Sequence, residues 1–391
     1  MEKVKVGLVG LGNQGRGHAQ MLNDIPSVDF VAACDIVKEK ADDYAKRYNV
    51  TPYYNYKDML ENEKLDAIAI AVPHYDHTPM AIDALKMGLH VMCEKPLAVH
   101  VNDCQKMIDA YNEAKQKGFA PVFAIMFQER TFAHYRKIKT ILESGRLGKL
   151  IRVTWIDTTR FRTQTYFNSG GWRATWAGEG GGILTNQCPH SLDMYQWLFG
   201  LPKTVNGFAN IGKYHDIEVE DEVTAYFQHE NGMIGHFIVS TGEAPGSFRI
   251  EIMAENGKLV FENGKLTYFQ NVESMLDVLK NSKKSFDSVE NWVMDIPYSD
   301  RQPTGHKPVM EKFINSIVTG KEDLTAHATE GLNSVMLANA IMQSSFTQQA
   351  VTLPMNGDVF EAKLKELIKT SKYVKTVVED KNVNMEDSYA K

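Results

Sequence analysis

A glycine-rich turn constrains this chain more than any other feature. Gly10-Leu11-Gly12-Asn13-Gln14-Gly15 follows an apolar β-forming run, Val4–Val9, and opens a helical segment, Gly15–Asp24. Such a turn carries information only in that strand–turn–helix setting. Gly10 permits the tight turn, Gly12 lets backbone amides approach a pyrophosphate, and Gly15 lets the helix pack on the strand. The helix N-terminus adds partial positive charge for phosphates. An acid, Asp35, closes the second apolar run 20 residues past Gly15. A carboxylate there accepts hydrogen bonds from ribose hydroxyls and repels a 2′-phosphate. Gly10, Gly12, Asn13, Gln14, Gly15 and Asp35 thus form a cofactor-binding set that favours NAD over NADP, although Lys38 nearby keeps NADP open.

The turn heads a longer alternation. Strand-like runs at Val4–Val9, Phe30–Cys34, Ala67–Val72, His90–Cys93 and Pro121–Met126 are separated by helical stretches at Lys38–Tyr48, Tyr56–Glu61, Thr78–Met87 and Val101–Lys117. Near-continuous apolar runs suit strands buried on both faces of a parallel sheet, so the pattern predicts a doubly wound α/β domain over 1–128. After residue 150 the texture changes to longer strand-like runs: Ile151–Phe161, Val205–Tyr214, Val219–His229, Met233–Thr241, Phe248–Ala254 and Lys258–Phe261. Asn231-Gly232, Asn256-Gly257 and Asn263-Gly264 are hairpin dipeptides. With helices at Ser191–Phe199, Pro308–Val318 and Thr329–Ser344, this predicts an α+β domain over 129–355 on a large, open-faced, mainly antiparallel sheet. Phe360, Leu364, Leu367 and Ile368 line one helix face in 356–391, and the polar chain beyond Glu379 is expected to fray.

Composition narrows the function. In 391 residues, 43 Lys and Arg against 49 Asp and Glu give a net charge of −6, which lacks the electrostatic footprint of a general nucleic-acid binder. No apolar stretch is long enough to span a membrane. With no room for a signal peptide before the first strand, the chain is expected to be cytoplasmic. Four scattered cysteines without a CxxC pair read as reduced core thiols, and no metal is indicated.

A third element points to a family. Glu94-Lys95-Pro96 follows the apolar run Val91-Met92-Cys93. Together with Gly10–Gly15 it resembles the glucose–fructose oxidoreductase / inositol dehydrogenase (Gfo/Idh/MocA) family. The resemblance continues through Ala71-Val72-Pro73-His74-Tyr75-Asp76-His77, where the family has a Thr-Pro-Asn-x-x-His stretch, and through Gly180-Gly181-Gly182-Ile183-Leu184-Thr185-Asn186-Gln187-Cys188-Pro189-His190-Ser191-Leu192-Asp193. It covers both domains and is specific for fold, weakly so for substrate. It implies a Rossmann domain followed by an open-faced sheet, with an active site between them. It also implies Lys95 and His190 as the catalytic pair, with Pro73, His74, His77, Glu94 and Lys95 beside the cofactor. One position departs from the pattern: family dehydrogenases usually carry Asp four residues before the histidine, where this chain has Asn186. That departure reads as a difference of substrate class, toward glycosides or free sugars.

The chemistry stands without the family. Oxidising a secondary alcohol requires a base near operating pH, which suits His190, and an ammonium such as Lys95 lowers the cost of the developing alkoxide. A helix start at His190 disfavours the imidazolium and keeps a neutral base available, while Asp193 reads as a helix-start acid. The loop Tyr166–Trp176 is rich in glycine and aromatics, and Trp172, Arg173 and Trp176, with Arg160, suit stacking on a sugar ring and bonding its hydroxyls. Lys95, Asn186 and His190 complete that substrate set; Arg162, His77 and His306 are weaker candidates.

The reading is an NAD-dependent dehydrogenase acting on a ring hydroxyl of a sugar, glycoside or cyclitol, with C3 of a glucoside foremost. The alternatives are an NAD-dependent glycoside hydrolase using transient oxidation and a non-catalytic dinucleotide sensor. Alternation at Val223, Ala225, Phe227, Phe237 and Val239 is taken to put apolar side chains on both sheet faces, predicting a homodimer or homotetramer built sheet to sheet.

Overall fold

The computed structural model describes residues 3–299 and 301–378. The chain forms two compact units. One takes in the residues up to Thr131 with Ala177–Gly180 and Pro303–Met336; the other holds Phe132–Trp176, Gly181–Gln302 and the chain from Leu337. The boundaries expected at 128 and 355 are therefore replaced by ones that the chain crosses repeatedly.

In the first unit, β1 (Val4–Val9), β2 (Val28–Cys34), β3 (Thr51–Tyr53), β4 (Ala67–Ile70), β5 (His90–Cys93) and β6 (Phe123–Ile125) make a parallel sheet of order β3-β2-β1-β4-β5-β6. Between them lie α1 (Asn13–Asp24), α2 (Lys38–Tyr48), α3 (Tyr56–Asn62), α4 (His74–Lys86) and α5 (Val101–Gln116). All four residues of β4 are buried, the pattern of a strand covered on both faces. Two features differ from expectation. The three-residue β3 is too short to show a period, and α4 starts at His74 rather than Thr78 because Pro73 at its N-cap supplies a φ of −59°. Parallel pairing sends the chain out of every strand at one edge. The ladder continues past the strands through Gly10 N–H to Cys34 O (2.8 Å), Ala71 N–H to Val9 O (2.8 Å) and Glu94 N–H to Ile70 O (3.0 Å), setting the loops after β1, β2, β4 and β5 side by side.

In the second unit, nine strands form a sheet of order β14-β13-β12-β11-β7-β10-β9-β8-β15. They are β7 (Leu150–Asp157), β8 (Thr204–Ile211), β9 (Glu220–Gln228), β10 (Ile234–Ser240), β11 (Phe248–Ala254), β12 (Gly257–Glu262), β13 (Lys265–Asn271), β14 (Asn291–Asp295) and β15 (Val351–Thr352). The helices run α6 (Ala133–Glu143), α7 (Gln164–Asn168), α8 (Pro189–Phe199), α9 (Met275–Asn281), α10 (His306–Thr319), α11 (Gly331–Thr347) and α12 (Gly357–Thr370). Only the β7–β10 pair is parallel. The three dipeptides join antiparallel neighbours as expected, Asn263 and Gly264 both adopting positive φ. Strand β7 stops at Asp157, so Arg160 and Arg162 lie in the loop beyond it. Helix α10 belongs to the first unit: Val309, Met310, Phe313 and Ile314 share one core with Val6, Leu8 and Leu22.

The five apolar residues expected to divide between the two sheet faces do not divide, and the outer face instead carries the exposed apolar side chain of Phe208, paired with Thr224 and 58% exposed. Register pairs Ala225 with Phe237 and Val223 with Val239, and with Phe227 all five lie on one face, at most 1% exposed. Period-2 geometry demands this of residues at i, i+2 and i+4. The opposite face carries Thr224, Tyr226, His236 and Ile238 beside ion pairs of Arg152 and Arg249 with Glu251 (2.7 and 2.6 Å). In α12, Phe360 and Leu364 are buried as predicted. The tail expected to fray beyond Glu379 lies outside the described residues. Among the described residues, no helix is long and apolar enough to cross a membrane.

Candidate functional site

One candidate region is the strand-end edge of the parallel sheet in the first unit. Gly10 has φ +91°, and a Cβ there would meet Ala71 O at 2.3 Å; one on Gly15 would meet Gly10 O at 2.0 Å. Both positions therefore require glycine. A Cβ on Gly12 would meet nothing within 4 Å, so the backbone faces open space where α1 starts. No side chain caps α1, and its first turn, with Asn13 and Gln14, holds no acid, leaving amides and dipole for an anion. These residues fit a dinucleotide pyrophosphate. Asp35 is half-buried; it accepts the N–H of Leu11 (2.8 Å) and of Val37 (2.9 Å), tying the glycine turn to the end of β2. A carboxylate has about four acceptor sites, so capacity for ribose hydroxyls is left. The Lys38 ammonium sits 5.1 Å over the Tyr54 ring.

The loops after β4 and β5 are pinned together. His77, fully buried, contacts Pro96 O (2.8 Å) and Val72 O (2.9 Å) through its two ring nitrogens, and His74 contacts Glu179 O (3.0 Å). Glu94 is buried too. Its Oε1 lies 2.7 Å from His18 Nε2 and its Oε2 accepts the Lys95 N–H (3.1 Å). Burial alone would raise the Glu94 carboxyl, but the His18 hydrogen bond and charge, with His306 and Lys95, lower it to about 2. A depressed acid stabilises the fold above its unfolded value, near 4.5, and that stability drains away as pH falls toward 2. Glu94→Gln is therefore expected to flatten the acid limb of stability against pH between about 4.5 and 2, measured by denaturant titration.

A second candidate region lies in the other unit. Pro189 occupies the first turn of α8, which places His190, 3% exposed, at its second residue as the sequence implied. Asp193 is the helix's fifth residue rather than a first-turn acid; it is buried and accepts the amide of Gln196 (2.9 Å). Two carboxylates missed in the sequence organise this region. Glu220 accepts the N–H of Gly182 (2.8 Å) and of Leu184 (3.1 Å), shaping the glycine-rich segment before His190. Asp157 accepts the Ser191 hydroxyl (2.9 Å), the Thr159 hydroxyl (3.0 Å) and Arg160 Nε (3.2 Å). A lone acid closing an apolar strand run was the available signal for Asp157, whereas Glu220 sits among Glu218, Asp221 and Glu222 and nothing local singles it out.

The aromatic loop is bound up with the same segment. The Tyr166 hydroxyl receives Gln187 Nε2 (3.1 Å) and, at 3.4 Å, Asn186 Nδ2. Arg173 lies 4.8 Å over the Tyr166 ring and 4.5 Å over Trp172, both half-buried, with Arg162 5.2 Å from Tyr166. Trp176 is buried, its ring 6.2 Å from Phe346, which places it in packing. Residues after α12 close over this loop: Lys375 donates to the carbonyls of Phe167 and Arg173, and Val378 N–H to Asn168 O.

Comparison with known proteins agrees with this geometry. Residues 4–120 match the oxidoreductase family with an NAD-binding Rossmann fold, and residues 135–260 match the GFO/IDH/MocA C-terminal domain. The chain is 34% identical to inositol 2-dehydrogenase of Salmonella typhimurium over 153 residues, 38% of this chain and less than half (44%) of that protein. It is 21% identical to glucose-6-phosphate 3-dehydrogenase of Bacillus subtilis over 287 residues, covering 69% of this chain and 78% of that one. Among solved structures, the WlbA dehydrogenase of Bordetella pertussis in complex with NADH and UDP-GlcNAcA superposes with a TM-score of 0.74 at 25% identity, over 91% of this chain and all of that one. With both of its domains matched in chain order and its first domain an NAD-binding Rossmann domain, the chain belongs to the GFO/IDH/MocA oxidoreductase family.

Proposed function

We propose that this protein is an NAD-dependent dehydrogenase that oxidises a ring secondary hydroxyl of a sugar, glycoside or cyclitol. The observation that carries the reading is the placement of Lys95 at the edge of an NAD-binding sheet, two residues after β5 and next to loops that the cofactor turn pairs with. Bound NAD supplies the hydride acceptor. His190 takes the hydroxyl proton: the first turn of α8 favours a neutral imidazole, the form a base needs. The Lys95 ammonium offsets charge on the developing alkoxide oxygen. Trp172 and Arg173 offer a ring face and hydroxyl donors, with Asn186 amide-side to the substrate. Screening monosaccharides, inositols and glucosides with NAD at the nicotinamide absorbance tests this; a panel without turnover overturns it.

Within that class, C3 of a glucoside is the position we favour, supported by a relative named for 3-oxidation of a glucose phosphate. Hydrolysis by transient oxidation gains no support from the three relatives above, all named dehydrogenases. Four buried thiols suit a reducing compartment, the cytoplasm. We further propose a homodimer or homotetramer built sheet to sheet through the outer face, where Phe208 is exposed beside Tyr226 and Ile238; a clean monomer in light scattering overturns it.

Cofactor choice rests on Asp35. Serine there keeps an oxygen for the Leu11 or Val37 amide but removes the charge facing a 2′-phosphate. Asp35→Ser should therefore improve kcat/KM for NADP relative to NAD by about tenfold, or about 1.4 kcal/mol. A wild type that already prefers NADP contradicts the reading of β2.

A further inference from the structure

The proposed mechanism uses the Lys95 ammonium but leaves a buried ionic group beside it unexplained. Glu94 and His18, 5% and 2% exposed, are paired at 2.7 Å on neighbouring elements, α1 and the end of β5. Such pairs cost desolvation energy that burial of apolar side chains avoids, so stability is a weak reason for one to be here. The second carboxylate oxygen is turned onto the backbone N–H of Lys95 at 3.1 Å. Glu94 is thus a bridge: one oxygen holds α1, the other holds the residue proposed to meet the alkoxide.

We propose that Glu94 and His18 are positioning residues for Lys95, the carboxylate fixing the turn that carries the lysine and holding its side chain in the ammonium form. This rests on the role of Lys95 given above. The groups facing Glu94 come from every element around it: His18 on α1, His306 on α10 and Lys95 on its own segment favour its carboxylate, and that carboxylate in turn acts to raise the pKa of His77 on α4 and of the neutral Cys93 thiol. The interaction is mutual: if the Lys95 charge favours the Glu94 carboxylate, the carboxylate favours the Lys95 ammonium to the same extent. His18 has the separate task of keeping Glu94 ionised where burial opposes it. Its other ring nitrogen, Nδ1, is buried without a hydrogen-bond partner, so the imidazole is spent on the carboxylate alone.

The test reads Lys95 directly and needs no substrate. The full-length protein is exposed to trace formaldehyde and cyanoborohydride across pH, and methylation of the Lys95 peptide is followed by mass spectrometry. In Glu94→Gln the midpoint of amine reactivity should fall by about one pH unit, and turnover with the best polyol should fall by about tenfold because the turn carrying Lys95 loses the acceptor for its N–H. His18→Leu, which lets the buried carboxyl take up a proton, should reproduce the shift. His18→Gln keeps a donor on Glu94 and should recover most of the wild-type midpoint. A folding defect in Glu94→Gln would not block the test, because the Leu and Gln pair at His18 asks the same question. An unchanged Lys95 midpoint in folded Glu94→Gln, or in His18→Leu, overturns the proposal. A shifted midpoint in a protein that turns over no polyol upholds the coupling and overturns the dehydrogenase reading alone.

Discussion

Alanine at His190 is expected to lower turnover by about 10²–10⁴-fold, and alanine at Lys95 by a similar factor. His190 belongs to the unit that does not carry the glycine turn, so its loss should leave the dissociation constant for NAD nearly unchanged. The Lys95 variant should raise it modestly, since that residue sits among the cofactor loops. Initial rates and cofactor titration by fluorescence separate the two. Near-wild-type turnover in either variant removes that residue from the mechanism. Asn186→Asp sharpens the test. Its amide reaches toward the Tyr166 hydroxyl at 3.4 Å, in the segment leading to His190. A carboxylate near the imidazole should raise its pKa and move the acidic limb of the rate profile upward. If the amide instead donates to a substrate hydroxyl, the substitution exchanges donor for acceptor, and KM should worsen while the limb stays. Movement of neither quantity places Asn186 outside the site.

The first unit was more legible than the second for a physical reason. Its strands are short, covered on both faces and punctuated by helices, so continuous apolar runs such as Ala67–Ile70 stand out against amphipathic neighbours. The glycine turn and Asp35 were readable because each has a backbone requirement: φ +91° at Gly10 admits few other residues, and the acid must end a strand to reach the loop amides. Helix α10 was assigned to the wrong domain because its apolar face, Val309, Met310, Phe313 and Ile314, states that it packs but not against what. The faces of the large sheet failed on register. Phe237 was set apart from Ala225 in the sequence, although antiparallel pairing brings the two to one face. His18, Asp157 and Glu220 went unread for the same underlying cause. Each acts through a partner distant in the chain, up to 76 residues away for His18 and Glu94, and no local period marks such a pair.

Removing the Glu220 carboxylate is expected to cost the second unit much of its stability. Glu220 is fully buried at the first position of β9, and its two oxygens accept the N–H groups of Gly182 and Leu184 at 2.8 and 3.1 Å. Its own carbonyl accepts the N–H of Ile183 between them, at 2.9 Å. Three successive amides are thus satisfied by one residue, and the segment they belong to leads into α8 and His190. Glu220→Ala removes the two side-chain acceptors and leaves their donors buried, at about 1–3 kcal/mol each. The total, about 2–6 kcal/mol, corresponds to a fall in melting temperature of about 10 °C for a domain of this size. Glu220→Gln keeps one carbonyl oxygen but turns an NH₂ toward the other amide, so it should lose less than the alanine variant while still melting below wild type. Turnover should fall in both, because the glycine-rich segment sets where α8 begins, whereas NAD affinity, a property of the other unit, should hold. Thermal melts by circular dichroism with parallel NAD titrations check the set. An alanine variant melting within about 2 °C of wild type would mean that water satisfies those amides, and that the shape of the segment before His190 does not depend on Glu220.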